Sequence, residues 1–548
     1  MSRGRPPLDR GTITKQSELD ELVTRCSPYT KGGLREFAHT FRPETFYVQT
    51  PLDLLTQSLF SELEDMWTKY SLFLVHRGGG KTSLVDTAIL QRIVYRLTNC
   101  LMYCSRTETK AMQETESIKW ELETNKELQA VYGNLKSDVW AKDEWQTTRL
   151  MGANGEEAHP GSQIVPRGVG QQVRGWLYKG RYRPDFIVVD DIEDRKSVKS
   201  ETLRKDAWDW FNGEVVGCFS QLSVLGPKET PPKLVVIGNM LHEDCVMNRL
   251  REDAKNPKSI WHGHVVEIPM CDDNLRSTRP TFITNEHVQE EYNRYRSIGE
   301  LNLFAQECQL EVVSKESQKF KPEYYRYFDE NEEGLARRGG LETVVSVDIS
   351  NSDKATSCPC GIVVQSVDLI TGAIYVREVI QERMHPDEQY TMAIDLCIRY
   401  GARCLSCGTQ GAKEWATYAF ENAIRQRNVP VEFVEIPETR REGAKEERVA
   451  GLVPLYRAGI IHHAGNKEPN GTWSTRLIPL ELAQAKYPFS TYWDAMDAQA
   501  QILWLLDNSQ RFMHGKGDYP EGAATDEYDE LLAEDMAEGP LSGWRVTV

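Results

Sequence analysis

The sequence has no run of about 18 apolar residues, so it predicts no membrane-spanning helix. Its first residues, MSRGRPPLDRGT, lack the apolar middle of a signal peptide. The twelve cysteines are scattered with no secretory signal beside them, which points to free thiols in a reducing compartment. No internal repeat is present. Positive charge is short: 65 Lys and Arg face 82 Asp and Glu, for a net charge of −17. That balance argues against a simple nucleic-acid coat, but it allows a local basic channel.

What is present suits a large globular chain. Its 548 residues are 40% apolar, and length alone suggests three or four domains or two large ones. Residues 1–45 are polar, with a helix expected around Ser17–Cys26. From 46 to 270, apolar runs alternate with helical patterns. The runs are SLFLV (71–75), CLMYC (100–104), DFIVVD (185–190) and KLVVIGN (233–239). Such alternation predicts a parallel sheet covered on both faces. Residues 271–335 turn polar and read as a linker or lid with a helical piece at NLFAQECQLEVV. Residues 336–507 form a second strand-rich block, from ETVVSVDIS through CGIVVQSVD and AIYVREVI. Three consecutive strands, expected to be antiparallel, are followed by helices at 386–400 and 411–427 alternating with ARCLSC and VEFVEI. The last helix is expected at 492–506, and an acidic tail covers 508–548.

The first chemical motif is VHRGGGKT (75–82). A phosphate-binding loop needs backbone N–H groups aimed at phosphate oxygens, then a lysine and a hydroxyl at a helix start. The candidates are His76, Arg77, Gly78, Gly79, Gly80, Lys81 and Thr82. Lys81 would reach the β- and γ-phosphates of ATP, and Thr82 would hold Mg²⁺. Val75 stands where the usual pattern has glycine and can simply prolong the strand. A carboxylate must close the site from a neighbouring strand. Asp190, at the end of DFIVVDDIED, is expected on the metal. Asp191 and Glu193 both qualify to orient the attacking water, with Glu193 favoured. Asn239, ending KLVVIGN, would sense the γ-phosphate or couple hydrolysis to motion, or else simply cap the strand end. Arg174 lies in the arginine-rich GVGQQVRGWLYKGRYRPD and is the candidate to stabilise transition-state charge in a neighbouring subunit.

The second block suggests a two-metal site, which needs several shared acids around ions about 4 Å apart. Asp348 ends the strand TVVSVD. Asp494 and Asp497 lie one turn apart on the last helix and face the same side. Packed near Asp348, they would bind Mg²⁺ or Mn²⁺ together.

In order along the chain stand HRGGGKT, QVRGW before RPDFIVVDDIED, LVVIGN, LFAQE, VVSVDIS and WDAMDA. This ordered set resembles the large terminase subunit of tailed bacteriophages, over about residues 46–506. The resemblance implies an α/β chain: an N-terminal P-loop ATPase domain, mainly a parallel sheet with flanking helices, joined to a C-terminal RNase H-like nuclease domain. It implies a phosphate contact for Arg77 and a trans-acting role for Arg174. Its implied partners are double-stranded viral DNA, the portal of a procapsid, the small terminase subunit and a homo-oligomer, a pentameric ring on the portal. It implies the host cytoplasm, with transient docking on the procapsid and no membrane.

One departure stands out. The family usually carries an acid at the end of the fourth nuclease strand, where ARCLSCGTQGAKEW places Ser406 or Cys407. The alternatives are that Glu414 or Glu378 completes the site, that it binds metal more weakly, or that it is inactive. The thiols of Cys358, Cys360, Cys404 and Cys407 offer a zinc alternative. The leading expectation is an ATP-driven packaging motor with a metal-dependent endonuclease that cuts concatemeric DNA. Its sequence-independent grip on phosphates would come from Lys and Arg, with 167–205 as one candidate segment. The alternatives are a helicase-like remodelling ATPase with a non-cleaving RNase H-like domain, and a non-enzymatic assembly adaptor.

Overall fold

In the computed structural model the described residues are 16–46, 54–219, 232–312, 318–335, 339–350, 353, 358–409, 413–437, 444–469, 471, 473–509 and 512. The acidic tail lies outside them. The chain forms two compact units, one of Met1–Glu291 with Gln306–Val312, the other of Tyr292–Ala305 with Val313–Val548. Among the described residues no helix is long and apolar enough to cross a membrane.

The first unit is built on eight strands: β1 (Tyr70–Val75), β2 (Cys100–Ser105), β3 (Lys136–Trp140), β4 (Trp145–Thr147), β7 (Gln163–Gly168), β8 (Phe186–Asp190), β9 (Lys233–Gly238) and β10 (Val265–Ile268). A small separate hairpin joins β5 (Leu150–Met151) to β6 (Glu157–His159). The order is β10-β1-β9-β8-β2-β7-β4-β3, and the first six are mutually parallel. The expected apolar runs form the central strands. They are apolar without alternation because both faces are covered. Phe73, Val75, Tyr103, Val188 and Ile237 enter one core, and Leu72, Leu74, Met102, Val189 and Val236 the other. β7 and β10 escape a reading by apolar runs: β7 carries Gln163, Pro166 and Arg167, and β10 is short with Glu267 inside it. Because β9 lies between β1 and β8, the ends of three strands bring the glycine loop, Asn239 and Asp190 to one edge. Open parallel sheets bind ligands at such an edge, beyond the carboxyl ends of the strands.

The second unit has β11 (Arg326–Phe328), β12 (Leu341–Asp348), β13 (Cys360–Asp368), β14 (Ile374–Glu382), β15 (Cys404–Thr409), β16 (Glu432–Pro437), β17 (Ile461–Lys467) and β18 (Trp473–Thr475). The order β14-β13-β12-β15-β16 has its first three strands antiparallel, and β15 and β16 parallel to β12. This is the RNase H-like sheet, extended past β14 by β17 and β11. The helix Asp494–Asn508 packs across β13 and β12. Its approach is set by Gly361, which pairs with Asp348. A Cβ at Gly361 would lie 2.3 Å from the Asp494 carbonyl carbon and oxygen and 2.6 Å from the Ala495 nitrogen. The Gln381 side chain on β14 accepts the Ala495 N–H at 3.1 Å and pins the same helix end.

Gly361→Ala is therefore expected to push the helix start off the sheet. Overpacking of this kind costs about 1–3 kcal/mol, or several degrees for a unit of this size. Calorimetry should show the second unit's transition lowered and the first unit's unchanged.

Candidate functional sites

At the edge of the first sheet, the loop after β1 enters the helix Lys81–Val94 through Gly80, which is left-handed at φ 82°. Gly78 is also left-handed at φ 76°. Gly79 is required for space: a Cβ there would lie 2.4 Å from the Val75 methyl Cγ1 and 3.1 Å from His76 Nε2. Valine at position 75 is thus accommodated by glycine at 79. His76 is fully buried, and burial pushes its pKa down to about 4, so it stays neutral while its Nδ1 meets the Arg77 carbonyl at 2.8 Å.

Lys81 donates to Asn239 Oδ1 at 3.0 Å. Asp190 Oδ2 accepts from the Tyr103 hydroxyl at 2.9 Å and from the Thr82 hydroxyl at 3.3 Å. Its Oδ1 is buried with no partner among the described residues. Burial, together with the charge of Asp191, pushes the Asp190 pKa up to about 7. An orphaned carboxylate oxygen beside a threonine hydroxyl and a lysine fits a Mg²⁺–nucleotide, because that cation supplies what the oxygen lacks. The sequence candidates Lys81, Thr82, Asp190 and Asn239 are thus brought together.

The candidate acids diverge. Asp191 is exposed and left-handed at φ 43°, and its charge acts on Asp190. Glu193 is buried, accepts the Val246 N–H at 2.6 Å, and lies in the field of Arg249, Arg204 and Asp244. Burial pushes its pKa up to about 7, and its Oε1 has no partner among the described residues. Arg77 projects outward and pairs with Glu307 at 3.2 Å; Arg195 pairs with the same carboxylate. Arg174 has its guanidinium over the backbone of Gly217 and donates its backbone N–H to Glu214 at 3.0 Å.

Two contributors carry no sequence signal, since only folding brings them in. Tyr103 reaches Asp190 from β2. Arg279, 1% exposed, donates to the Gly79 carbonyl at 3.0 Å and to the Thr56 hydroxyl at 2.7 Å.

In the second unit, Asp348, Asp494 and Asp497 do converge, and they do so on Lys445. Its ammonium lies 2.9 Å from Asp348, 3.5 Å from Asp494 and 3.4 Å from Asp497. Arg448, one turn on, grips both oxygens of Asp497 at 2.7 and 2.8 Å. Burial, reinforced by Asp497 and Asp494, pushes the Asp348 pKa up to about 7 against the pull of Lys445. Burial also raises Asp494, whose Oδ2 has no partner among the described residues. Lys445 is itself disfavoured by burial, but the three aspartates outweigh that and hold it charged. Among the described residues no three such ligands form a ready metal cage. The three carboxylates and the orphaned oxygen nevertheless fit a divalent cation in donor type, with the lysine ammonium now at their centre.

Three expectations need correction. Ser406 and Cys407 are not level with Asp348: the register pairs Ser346 with Ser406 and Val347 with Cys407. Ser406 sits one layer deeper and bonds Ser346 at 2.9 Å and Gln501 at 2.8 Å. Glu378 does not complete the site, being held by Arg399 at 3.1 Å and Tyr400 at 2.6 Å. The Glu414 side chain lies outside the described residues. The zinc reading fails because strand periodicity separates its ligands. Cys404 faces one core, Cys360 and Cys407 the other, and none forms a disulfide.

No protein-family profile matches the chain, and no curated protein does. Among solved structures, it is similar to the large terminase from a thermophilic bacteriophage. The identity is 11% over 82% of this chain and 99% of that one, with a TM-score of 0.27. The Thermus phage P74-26 large terminase ATPase domain is 12% identical over 49% and 97%, with a TM-score of 0.30. The P22 large terminase nuclease domain is 10% identical over 37% and 95%, with a TM-score of 0.22. Similarity of that degree assigns no activity.

Two outcomes follow from the geometry. Arg279→Gln should weaken ATP binding by about tenfold, the scale of one lost buried charge-assisted bond, with the fold intact by circular dichroism. Lys445→Ala leaves the half-buried Asp348 and the buried Asp494 without their cation, and Asp497 with Arg448 alone. Its second-unit melting temperature should fall in EDTA, and Mn²⁺ should raise it by more than in the wild type.

Proposed function

We propose that this chain is a viral DNA-packaging motor: an ATPase that drives translocation of double-stranded DNA, joined to a metal-dependent endonuclease that cuts concatemeric DNA. One observation carries the reading. A single chain joins a parallel sheet whose strand ends gather Lys81, Thr82, Asp190 and Asn239 to an RNase H-like sheet whose strand end and last helix gather Asp348, Asp494 and Asp497.

In the first unit the substrate is ATP. The loop N–H groups at Gly78–Thr82 face its phosphates, and Lys81 exchanges its bond to Asn239 for phosphate oxygens. Thr82 and Asp190 would hold Mg²⁺, which when bound neutralises phosphate charge. Tyr103 keeps the Asp190 oxygens oriented. The base that takes the proton from the attacking water is Asp191 or Glu193. Asp191 lies beside Asp190, whereas Glu193 has a pKa suited to a base near neutral pH. Comparing Asp191→Asn with Glu193→Gln decides between them: the base loses turnover by orders of magnitude while retaining ATP affinity.

In the second unit Asp348, Asp494 and Asp497 would hold Mg²⁺ or Mn²⁺, which when bound activates water and stabilises charge on the cleaved phosphate. The chain's own contribution is placement. Gln381 and Gly361 fix the helix start, and Arg448 holds Asp497. Lys445 must leave the centre, and from the rim its ammonium can meet the DNA phosphate. A portal and procapsid, a small subunit and a pentameric ring are the partners the motif resemblance brings to this reading.

Supercoiled plasmid with Mn²⁺ tests the nuclease, and DNA-stimulated phosphate release tests the motor. Lys81→Ala should abolish ATP turnover and spare cutting. Asp348→Asn with Asp494→Asn should abolish cutting and spare turnover. ATP turnover with no cutting by the metal-saturated wild type would favour a remodelling ATPase, a reading that Lys445 at the carboxylate centre supports. No ATP turnover with DNA and procapsids present would favour the adaptor.

A further inference from the structure

The sequence from Ala158 to Pro184 contains no Asp or Glu, although the chain carries 82. It contains Arg167, Arg174, Lys179, Arg181 and Arg183. This is the segment between β6 and β8, and its second half folds into a rigid knuckle. Tyr178 and Tyr182 exchange backbone bonds at 2.7 and 2.9 Å. Lys179 and Gly180 turn the chain between them with two successive left-handed residues, φ 49° and 69°. The base is anchored: the buried Tyr178 donates to the Pro160 carbonyl at 2.9 Å, and Trp176 to Gln163 at 3.1 Å. The turn residues Lys179, Gly180 and Arg181 are exposed, and the Lys179 ammonium also donates to the Pro160 carbonyl at 2.8 Å.

Three of the segment's five cations lie against rings. Arg181 stacks 4.4 Å over Tyr182, Arg167 4.4 Å over Trp176, and Lys179 sits 5.3 Å from Tyr178. Stacking fixes long side chains before any ligand arrives, so less entropy is lost on contact. It also covers the rings. A single strand is held by bases stacked on free aromatic faces, and here guanidinium groups occupy the faces. The β5–β6 hairpin adds Arg149, 67% exposed. One carboxylate, Glu157, lies between Arg149 at 3.6 Å and Lys179 at 3.5 Å. It balances part of this charge: it pairs with Arg149 and Lys179, and its field also reaches Arg181, with which it forms no ion pair.

We infer that this knuckle, with Arg149 beside it, is a surface that grips the phosphate backbone of duplex DNA without reading sequence. The inference rests on the packaging reading above and names where the motor unit touches its track. A rigid, cation-tipped element on a β-sheet edge suits a moving contact, because phosphate contacts are the same at every base pair.

The test is fluorescence anisotropy of the full chain with a 30-base-pair duplex across NaCl concentrations. The variants are Lys179→Gln with Arg181→Gln, the charge-keeping Lys179→Arg with Arg181→Lys, and a control at two exposed lysines outside the segment, Lys142→Gln with Lys258→Gln. Each lost phosphate contact lowers the salt slope by about 0.9. Two lost contacts therefore predict roughly 60-fold weaker binding at 0.1 M salt, converging on the wild type near 1 M. The charge-keeping pair and the control should retain wild-type slopes. ATP turnover without DNA should be unchanged in all, and DNA stimulation should be lost in the glutamine pair alone. Wild-type affinity and slope in the glutamine pair, or tighter binding of single strands or RNA than of duplex DNA, would overturn the inference while leaving the motor reading in place. A wild-type chain that binds no duplex DNA overturns both.

Discussion

A carboxylate taken out of water must be given a cation, a hydrogen bond or a proton, and both candidate sites are arranged around that demand. Asp190 is 4% exposed, Asp494 7% and Asp497 2%. Each lies at the end of a strand or the start of a helix, where the backbone delivers it to an edge of its sheet. In each site a lysine stands among the polar groups: Lys81 on Asn239, and Lys445 among three aspartates. In both, a buried carboxylate oxygen has no partner among the described residues, Oδ1 of Asp190 and Oδ2 of Asp494. A ligand that brings a divalent cation therefore exchanges one compensation for another rather than entering an empty cavity. The two units reach this arrangement from unrelated sheets. One is six parallel strands with a switch in order at β9; the other is a mixed sheet with the last helix laid across it.

The parallel core strands were legible because burial on both faces makes them apolar without interruption. The phosphate loop was legible because glycine, lysine and threonine sit between such a strand and a helix. Asp494 and Asp497 were legible as neighbours because three residues make nearly one helical turn. The missing parts are those that only tertiary structure supplies. Lys445, Arg448, Tyr103 and Arg279 come from elements far away in sequence, and an isolated basic or aromatic residue announces no partner. β7 carries a proline and polar residues, and β10 is too short for a run to register. The strand-end position beside Asp348 was misplaced because one residue of register changes the face and two change the layer. The same period-two geometry separates the cysteines that their sequence spacing groups.

The loop's departure from the usual pattern has a local explanation. Val75 remains fully buried as the last residue of β1, and its methyl group fills the space over Gly79. Gly79 can take no side chain there, so the constraint that glycine at position 75 would relieve is met four residues on. The loop is also braced from outside by Arg279, which holds the Gly79 carbonyl, and Glu307 accepts Arg77 at the loop's rim. In the second unit the corresponding brace is Gln381 at the helix start, with Arg448 beyond it. Rigid supports of this kind let acids and lysines be placed by packing rather than by their own mutual attraction.

The central claim is that the carboxylates of the second unit are a metal site whose centre Lys445 now holds. Anomalous diffraction from crystals of the full chain soaked in Mn²⁺ tests it most directly. The account predicts manganese density bounded by Asp348, Asp494 and Asp497, with the Lys445 ammonium moved away from all three. Saturating Mn²⁺ that leaves Lys445 in place and no anomalous peak at the carboxylates would contradict it.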